Sequence, residues 1–345
     1  MIAVGRPALV LAPMDGVTDA LMRRMLTRRM PFQYCVTEFI RVSQLVVPAH
    51  VFTKEVPELA TQSCTEAGTP VGVQLLGGDP ERIAQSALVA VSAGATVVDL
   101  NFGCPAPTVN RHDGGATLLQ YPERIEAIVK AVRSALPYHI PVSAKLRLGW
   151  DNSRAIYQNA ERAVRGGVAW ITIHGRTKMQ GYSPPAYWKP IGEVKRAVPV
   201  PVVANGEIWS VEDLKRCQEE THCEHFMLGR GALADPRLVQ RCAKYLGIVP
   251  AMVPAIVPGS GASQSESSDP HWLDLIEELV LESRTSRESD RRTLSRVKQW
   301  LNYAHHRGTI SWFDSIKRVQ DTKELATVLA RLLPRADGPQ SRLAA

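Results

Sequence analysis

Val97-Val98-Asp99-Leu100-Asn101-Phe102-Gly103-Cys104-Pro105 is an apolar run that stops at a polar residue, a glycine and a thiol. A buried parallel strand delivers whatever follows its C-terminal end to the mouth of a sheet or barrel, where ligands bind. Gly103 permits a close backbone approach, and Pro105 fixes its own φ and lacks a donor, so Cys104 is expected on a stiff, sharp turn. Taken alone, a free cysteine is more often a small buried hydrophobe than a reactive group. The other apolar runs shift that balance.

Those runs are Ala8 to Ala12, Tyr34 to Thr37, Val71 to Leu75, Val97 to Asn101, Val142 to Leu146, Trp170 to His174, Pro201 to Asn205 and His225 to Leu228. Helix-length segments separate them, which predicts parallel pairing through right-handed crossovers. Eight such units close an α/β TIM (β/α)8 barrel, with an open doubly wound sheet as the competing architecture. Helix starts agree: Thr18 precedes Asp19-Ala20-Leu21-Met22, Asp79-Pro80-Glu81 opens a helix, and Ser210 with Asp213 three later makes a cap. After Leu246 the rhythm breaks into a Pro-, Gly- and Ser-rich stretch, and from Trp272 onward the period is helical. The predicted division is a barrel over 1–247, a linker over 248–270, a smaller all-helical C-terminal domain over 271–334 and a disordered tail over 335–345.

Composition narrows the class. Of the 345 residues, 45% are hydrophobic and 22% charged, which is globular. Six cysteines without CxxC spacing argue against a disulfide framework and against a zinc site, and fit a cytoplasmic chain with reduced thiols and no metal. No run of about 18 apolar residues is present, so no membrane partner is expected. The net charge is +7, and the segment from Arg291 to Arg318 holds seven Lys or Arg against the single acid Asp314. The basic surface is therefore local and suggests a polyanionic partner. By contrast, Arg23, Arg24, Arg28 and Arg29 on the first helix read as solvated surface, since a barrel's outer helices lie far from its mouth.

Each apolar run ends in chemistry. Pro13-Met14-Asp15-Gly16 follows the first, Glu38 the second, Gln74 lies in the third, Asn101 and Cys104 end the fourth, and Lys145 with Arg147 the fifth. His174-Gly175-Arg176, Asn205-Gly206-Glu207 and Gly229-Arg230-Gly231 complete the set. Polar endings on one face of a barrel describe an active site. Barrels often bind phosphate after strands seven and eight, where Gly206 and Gly229 offer backbone amides and Arg230 a bidentate guanidinium. No GxGxxG follows a strand, so a Rossmann dinucleotide site is unsupported. With Gln74 and Lys145 at the polar edge of a ring that gathers electrons, the pattern describes flavin mononucleotide (FMN).

Leu11-Ala12-Pro13-Met14-Asp15-Gly16-Val17-Thr18-Asp19, Gln74-Leu75-Leu76-Gly77, Asp99-Leu100-Asn101-Phe102-Gly103-Cys104-Pro105, Gly114-Gly115-Ala116, His174-Gly175-Arg176-Thr177, Ala204-Asn205-Gly206-Glu207-Ile208 and Leu228-Gly229-Arg230-Gly231 together resemble the tRNA-dihydrouridine synthases. The resemblance runs from about Leu9 to Leu333. Within that family, the stretches Thr37 to Val42, Lys145 to Asp151 and Val297 to Tyr303 look most like the C type, which acts on uridine 16 in the D-loop. Phe102 departs from the pattern, where a cysteine or another small residue is expected, and bears only on local packing.

The resemblance implies an enzyme that reduces the C5=C6 bond of a tRNA uridine with FMN, reloaded by NADPH. It implies that Pro13, Met14, Asp15, Gln74, Lys145, His174, Asn205, Gly206, Glu207, Gly229 and Arg230 bind the cofactor and that Cys104 is the proton donor. A thiol with a pKa of about 8.5 is mostly protonated at neutral pH, which suits a general acid. Asn101 is expected to hold the uracil edge, and Arg176 or Lys145 to offset developing negative charge. A uridine in folded tRNA must leave its stack, and Arg41, Arg296, Lys298, Tyr303 and Lys317 are the expected tRNA contacts of a monomeric enzyme. An FMN barrel acting on a small substrate would not need the basic appendage. A non-catalytic RNA-binding protein would not need Cys104 and the full set of cofactor residues.

Overall fold

Every apolar run expected to be a strand is one, to within a residue or so at each end. The computed structural model describes residues 2–111, 113–249 and 270–333. Its strands are β1 Ala8–Leu11, β2 Tyr34–Val36, β3 Ile40–Arg41, β4 Val71–Leu76, β5 Val98–Phe102, β6 Val142–Arg147, β7 Trp170–His174, β8 Val202–Asn205 and β9 His225–Leu228. They pair in parallel in the order β2-β1-β9-β8-β7-β6-β5-β4-β3, and β2 also pairs β4, which closes an eight-stranded barrel. β3 is a two-residue addition alongside the C-terminal end of β4, with Ile40 opposite Leu75 and Arg41 opposite Leu76. The ladder lapses between β2 and β3 because side chains take over its groups. Thr37 Oγ1 accepts from Gln74 N at 3.0 Å, and Glu38 Oε1 accepts from Val17 N at 3.0 Å.

Successive strand residues face opposite sides. Ala8, Val10, Tyr34, Val36, Trp170, Val203 and Met227 form one buried cluster that fills the barrel, with Tyr34 and Trp170 edge to face at 5.7 Å. Their neighbours Leu9, Leu11, Cys35, Ile171 and Phe226 belong to the larger cluster between strands and helices. Phe102, the departure noted in the sequence, is buried in that larger cluster.

The helices up to the end of the barrel are α1 Ala20–Arg29, α2 Ala49–Glu55, α3 Pro80–Ser92, α4 Pro107–Asn110, α5 Pro122–Ala135, α6 Ala155–Gly166, α7 Lys189–Ala197, α8 Val211–Thr221, α9 Arg230–Ala234 and α10 Leu238–Tyr245. Their starts follow the capping chemistry. Asp79 and Ser210 cap α3 and α8 as expected, accepting from Arg82 N at 2.8 Å and Asp213 N at 3.0 Å. At α1 the cap is Asp19, which accepts from Met22 N at 3.1 Å, while Thr18 Oγ1 accepts from Met14 N at 2.8 Å and pins the loop after β1.

The C-terminal helices are α11 Pro270–Thr285, α12 Asp290–His306, α13 Phe313–Ile316 and α14 Thr322–Leu332. Trp300 of α12 packs edge to face on Trp272 of α11 at 5.7 Å and donates from Nε1 to Leu233 O of the barrel at 2.9 Å. Most of the expected linker, and the expected tail at 335–345, lie outside the described residues.

The reading of α1 as solvated surface is overturned. Arg23 is 1% exposed and forms a bidentate pair with Glu58, both bonds at 2.8 Å. Arg28 and Arg29 pair with Glu278, and Arg24 and Arg28 with Glu282, both glutamates on α11. The cover comes from about 250 residues further along the chain, which the α1 sequence alone does not reveal. Among the described residues no helix is long and apolar enough to cross a membrane, no cluster of three or more His, Cys, Asp or Glu is placed to hold a metal, and all six cysteines are free.

Candidate active site

A cavity of about 450 Å3 opens at the C-terminal ends of the strands, within the ~300–1,000 Å3 range of small-molecule sites. Cys104 lies on its wall, on a turn held from both sides. Asn101 Oδ1 accepts from Gly103 N and Cys104 N, both at 2.9 Å. Arg147 Nε donates to Gly103 O at 2.8 Å, and Asn110 Nδ2 and Ala116 N donate to Cys104 O at 3.2 and 3.1 Å. Burial pushes the Cys104 thiol up from its ordinary range, against a backbone hydrogen bond from Ala106 that favours the thiolate. The thiol therefore keeps its proton at neutral pH.

Asn101 does more for the turn than the sequence suggested. Its oxygen is taken by the two backbone amides, and its Nδ2 donates to Gln74 Oε1 at 2.8 Å. Gln74 Nε2 in turn donates to the buried Asp99 Oδ2 at 2.7 Å. Across the mouth, Lys145 Nζ donates to Asn205 Oδ1 at 3.2 Å, and Asn205 Nδ2 donates to Met227 O at 2.8 Å. Burial, aided by Arg147, lowers the Lys145 ammonium to about 8. It is still largely charged at pH 7, and it has no carboxylate hydrogen-bonded to it.

The opposite end of the cavity is the expected phosphate end. Burial holds His174 well below its ordinary pKa, reinforced by Arg147, Lys145, Arg176 and Arg230, so the imidazole is neutral. A guanidinium has only donors, so the 3.3 Å contact between Arg176 Nη1 and His174 Nε2 makes Nε2 the acceptor and leaves the proton on Nδ1. Glu207 pairs with Arg176 and lies 3.4 Å from Arg230 Nη2. The Arg230 guanidinium also sits over Tyr182 and Trp209, 5.2 and 5.0 Å from their ring centroids. Arg307, at the end of α12, covers Trp209 at 4.6 Å.

The cavity brings together Cys104, Pro13, Met14, Asp15, Gln74, Asn101, Lys145, His174, Asn205, Gly206, Glu207, Gly229, Arg230 and Tyr303 from the set named in the sequence. Five others lie elsewhere. Arg176 is fully buried, its Nε donating to Ser183 O at 2.8 Å, so it braces His174 and Glu207 and does not line the cavity. Arg296 is 10% exposed and grips both oxygens of Asp19 at 2.7 and 2.6 Å, with Glu288 at 2.9 Å, so its guanidinium ties α12 to the start of α1. Lys298 Nζ donates to Val319 O at 2.6 Å. Lys317 is exposed at the end of α13 and does not line the cavity. Arg41 is exposed at the rim of a neighbouring hollow that shares Asp15 and Glu38 with the main cavity.

Tyr182, Trp209 and Gln299 are among the lining residues that the sequence reading did not name as binding candidates. Tyr182 and Trp209 follow β7 and β8 by several residues, and attention to the strand ends alone missed them. Gln299 is one helical turn from Tyr303, and that spacing could have found it.

The family described as dihydrouridine synthase matches this chain over residues 10–330. The chain is 40% identical over 327 residues to a protein of Shewanella oneidensis named tRNA-dihydrouridine(16) synthase, covering 93% of this chain and 96% of that one. A protein of the same name from Pseudomonas putida is 43% identical over 293 residues, covering 85% of this chain and 86% of that one. Another from Aquipseudomonas alcaligenes is 40% identical over 326 residues, covering 93% and 98%.

Proposed function

The chain belongs to the dihydrouridine synthase family, and from that premise we propose that it reduces the C5=C6 bond of a tRNA uridine to 5,6-dihydrouridine, at position 16 of the D-loop, with FMN as cofactor and NADPH as reductant. The observation that carries the reading is a thiol on a clamped turn, in one cavity with Gln74, Lys145 and Arg230. The relatives' name, with 40% identity over nearly their whole length, supports the substrate and the position.

The donor set of the cavity suits a flat ring with a phosphate tail. Gly206 has φ +114° and a Cβ there would come within 2.8 Å of His174 Cδ2, and one at Gly229 within 3.1 Å of Met14 Sδ, so the protein's own packing at the cavity wall calls for glycine at both positions. Gln74 and Lys145 would meet the polar edge of the ring, and Arg230 with the Gly206 and Gly229 backbone the phosphate. When bound, FMN would supply the hydride that goes to C6 of the uracil. Cys104 delivers the proton to C5 from Sγ, and desolvation keeps that proton in place until it is needed. Lys145 offsets the negative charge that develops on the uracil before protonation. Arg176, behind the wall, holds His174 in its neutral tautomer and keeps Glu207 in place.

The substrate must be turned out of its stack, at a cost of a few kcal/mol, and phosphate contacts offset that cost. The exposed cations Arg291, Arg292, Arg307, Lys317 and Arg318 suit this role, on a helical domain that we take to begin after a linker near 248–270, and so does Arg41 of β3 in the barrel. Gln299 and Tyr303 bring that domain to the edge of the cavity. The test is to map dihydrouridine by mass spectrometry in tRNA from cells lacking this protein. Loss at position 16, restored by the wild-type chain and not by Cys104→Ala, is the expected result. Intact dihydrouridine at position 16 would refute the assigned position.

A further inference from the structure

Beneath the floor of the cavity runs a line of hydrogen bonds whose direction is set from one end. The backbone amides of Gly103 and Cys104 can only donate, so the atom of Asn101 that meets them, 2.9 Å from each, is its oxygen. The Asn101 Nδ2 is then turned toward Gln74, whose Oε1 accepts at 2.8 Å. That in turn directs Gln74 Nε2 away from the loop, to Asp99 Oδ2 at 2.7 Å. Reversing either amide would set donor against donor or acceptor against acceptor and leave groups unmet where water does not reach. A line that starts on donors in this way has to end on an acceptor.

Asp99 is that end. It is buried in β5, it does not line the cavity, and its other oxygen accepts from Ser143 Oγ at 2.5 Å. Burial raises its carboxyl above the ordinary range. A proton on Oδ1 would only turn the Ser143 bond round and leave Oδ2 accepting from Gln74, so the relay does not depend on the charge. A charge on Asp99 also favours the Lys145 ammonium, whose hydrogen bond goes to Asn205.

We propose that Asp99 is a positioning residue of the reaction: as terminal acceptor it sets the amide directions of Gln74 and Asn101, and through Asn101 it holds the turn that presents Cys104. The proposal rests on Cys104 being the proton donor. It places the acid's orientation under the control of a residue that touches neither ring nor uracil.

The test uses the full-length, flavin-loaded protein with Asp99→Asn, Asp99→Leu and Asp99→Val. Asparagine can accept from Gln74 and donate to Ser143, so Asp99→Asn is expected to behave like wild type. In Asp99→Leu, iodoacetamide alkylation of Cys104, followed on its own peptide by mass spectrometry, should change severalfold. Single-turnover uridine reduction should fall by about 10²-fold, the usual consequence of a misplaced group. Asp99→Leu leaves Gln74 Nε2 and Ser143 Oγ without their acceptor in a buried place, so thermal unfolding is expected to move down, and alkylation and single-turnover reduction are read well below that transition. Asp99→Val, suited to a strand, is read in the same way should the leucine variant fail to fold. Wild-type alkylation of Cys104 in the apolar variants would overturn the relay. Equal loss in Asp99→Asn and Asp99→Leu would overturn it too, because acceptance by Oδ2 would not be what matters. Altered alkylation with unimpaired uridine reduction would overturn the assignment of Cys104 as proton donor, and the proposal with it.

Discussion

The barrel mouth and the helical appendage are both rich in cations, and they use them in opposite ways. At the mouth, Lys145, Arg147, His174 and Arg230 come from two strand ends and the turn after a third, and they converge on one cavity. In the appendage, residues from a single basic run part company: Arg296 and Lys298 are held by internal partners, whereas Arg291, Lys317 and Arg318 are exposed. A strand end in a closed barrel has its location fixed by the architecture. A helix face does not, because what covers it comes from somewhere else in the chain.

The sharpest break between the two regions should come from Cys104→Ala. Uridine reduction is expected to fall by about 10²–10⁴-fold, the usual contribution of a general acid, with FMN and tRNA binding retained. Single-turnover assays with pre-reduced enzyme check this. Next in size is Arg230→Ala, expected to weaken FMN by about 1.5–3 kcal/mol, the worth of a hydrogen bond to a charged group, as read by flavin fluorescence titration. Unchanged affinity would move the phosphate away from the end of β9.

Arg296→Ala should act on stability. Losing the bidentate grip on Asp19 is expected to cost about 1–3 kcal/mol in thermal or urea unfolding while the salt dependence of tRNA binding stays as it was. The exposed pair Lys317 and Arg318, both changed to Ala, should do the reverse. Stability should hold, and the slope of log affinity against log salt should flatten by up to about one unit for each lost phosphate contact. The smallest effect concerns Lys145. Its ammonium titrates at about 8 in the free protein, and an anionic ligand favours the charged form, so FMN affinity is expected to fall as pH rises through that value. In the ligand-free protein the sign for stability is opposite. The unfolded chain holds that proton more tightly, so the penalty of burying the charge is relieved as pH climbs from about 8 toward 10.5. Lys145→Met should remove both steps.

The same contrast explains what the sequence could tell. The strands were legible because buried parallel strands are nearly continuous apolar runs, and their endings had to meet at one mouth. Cys104, Gln74, Lys145 and Arg230 were found in this way. Arg24, Arg28 and Arg29 were misread because periodicity shows which face of α1 is polar, whereas Glu278 and Glu282 of α11 decide whether water sees it. Arg296 failed for the same reason, with Asp19 some 277 residues away. Arg176 failed differently. It follows β7 directly, as a ligand-binding residue would, yet its side chain turns back to brace the wall. The line from Cys104 to Asp99 lay within the stretch that decided the fold, but its direction needed Gln74 from the neighbouring strand.

The central claim is that the barrel mouth adds hydrogen to a tRNA uridine with Cys104 as proton donor. The most direct measurement incubates the purified chain with FMN, NADPH and an unmodified tRNA transcript, and maps the product by mass spectrometry. The account predicts that one uridine of the D-loop, at position 16, gains two hydrogen atoms, and that Cys104→Ala binds the same tRNA and leaves it unchanged. A wild-type rate of hydrogenation by Cys104→Ala, or an unaltered transcript with the wild-type enzyme loaded and reduced, would contradict it.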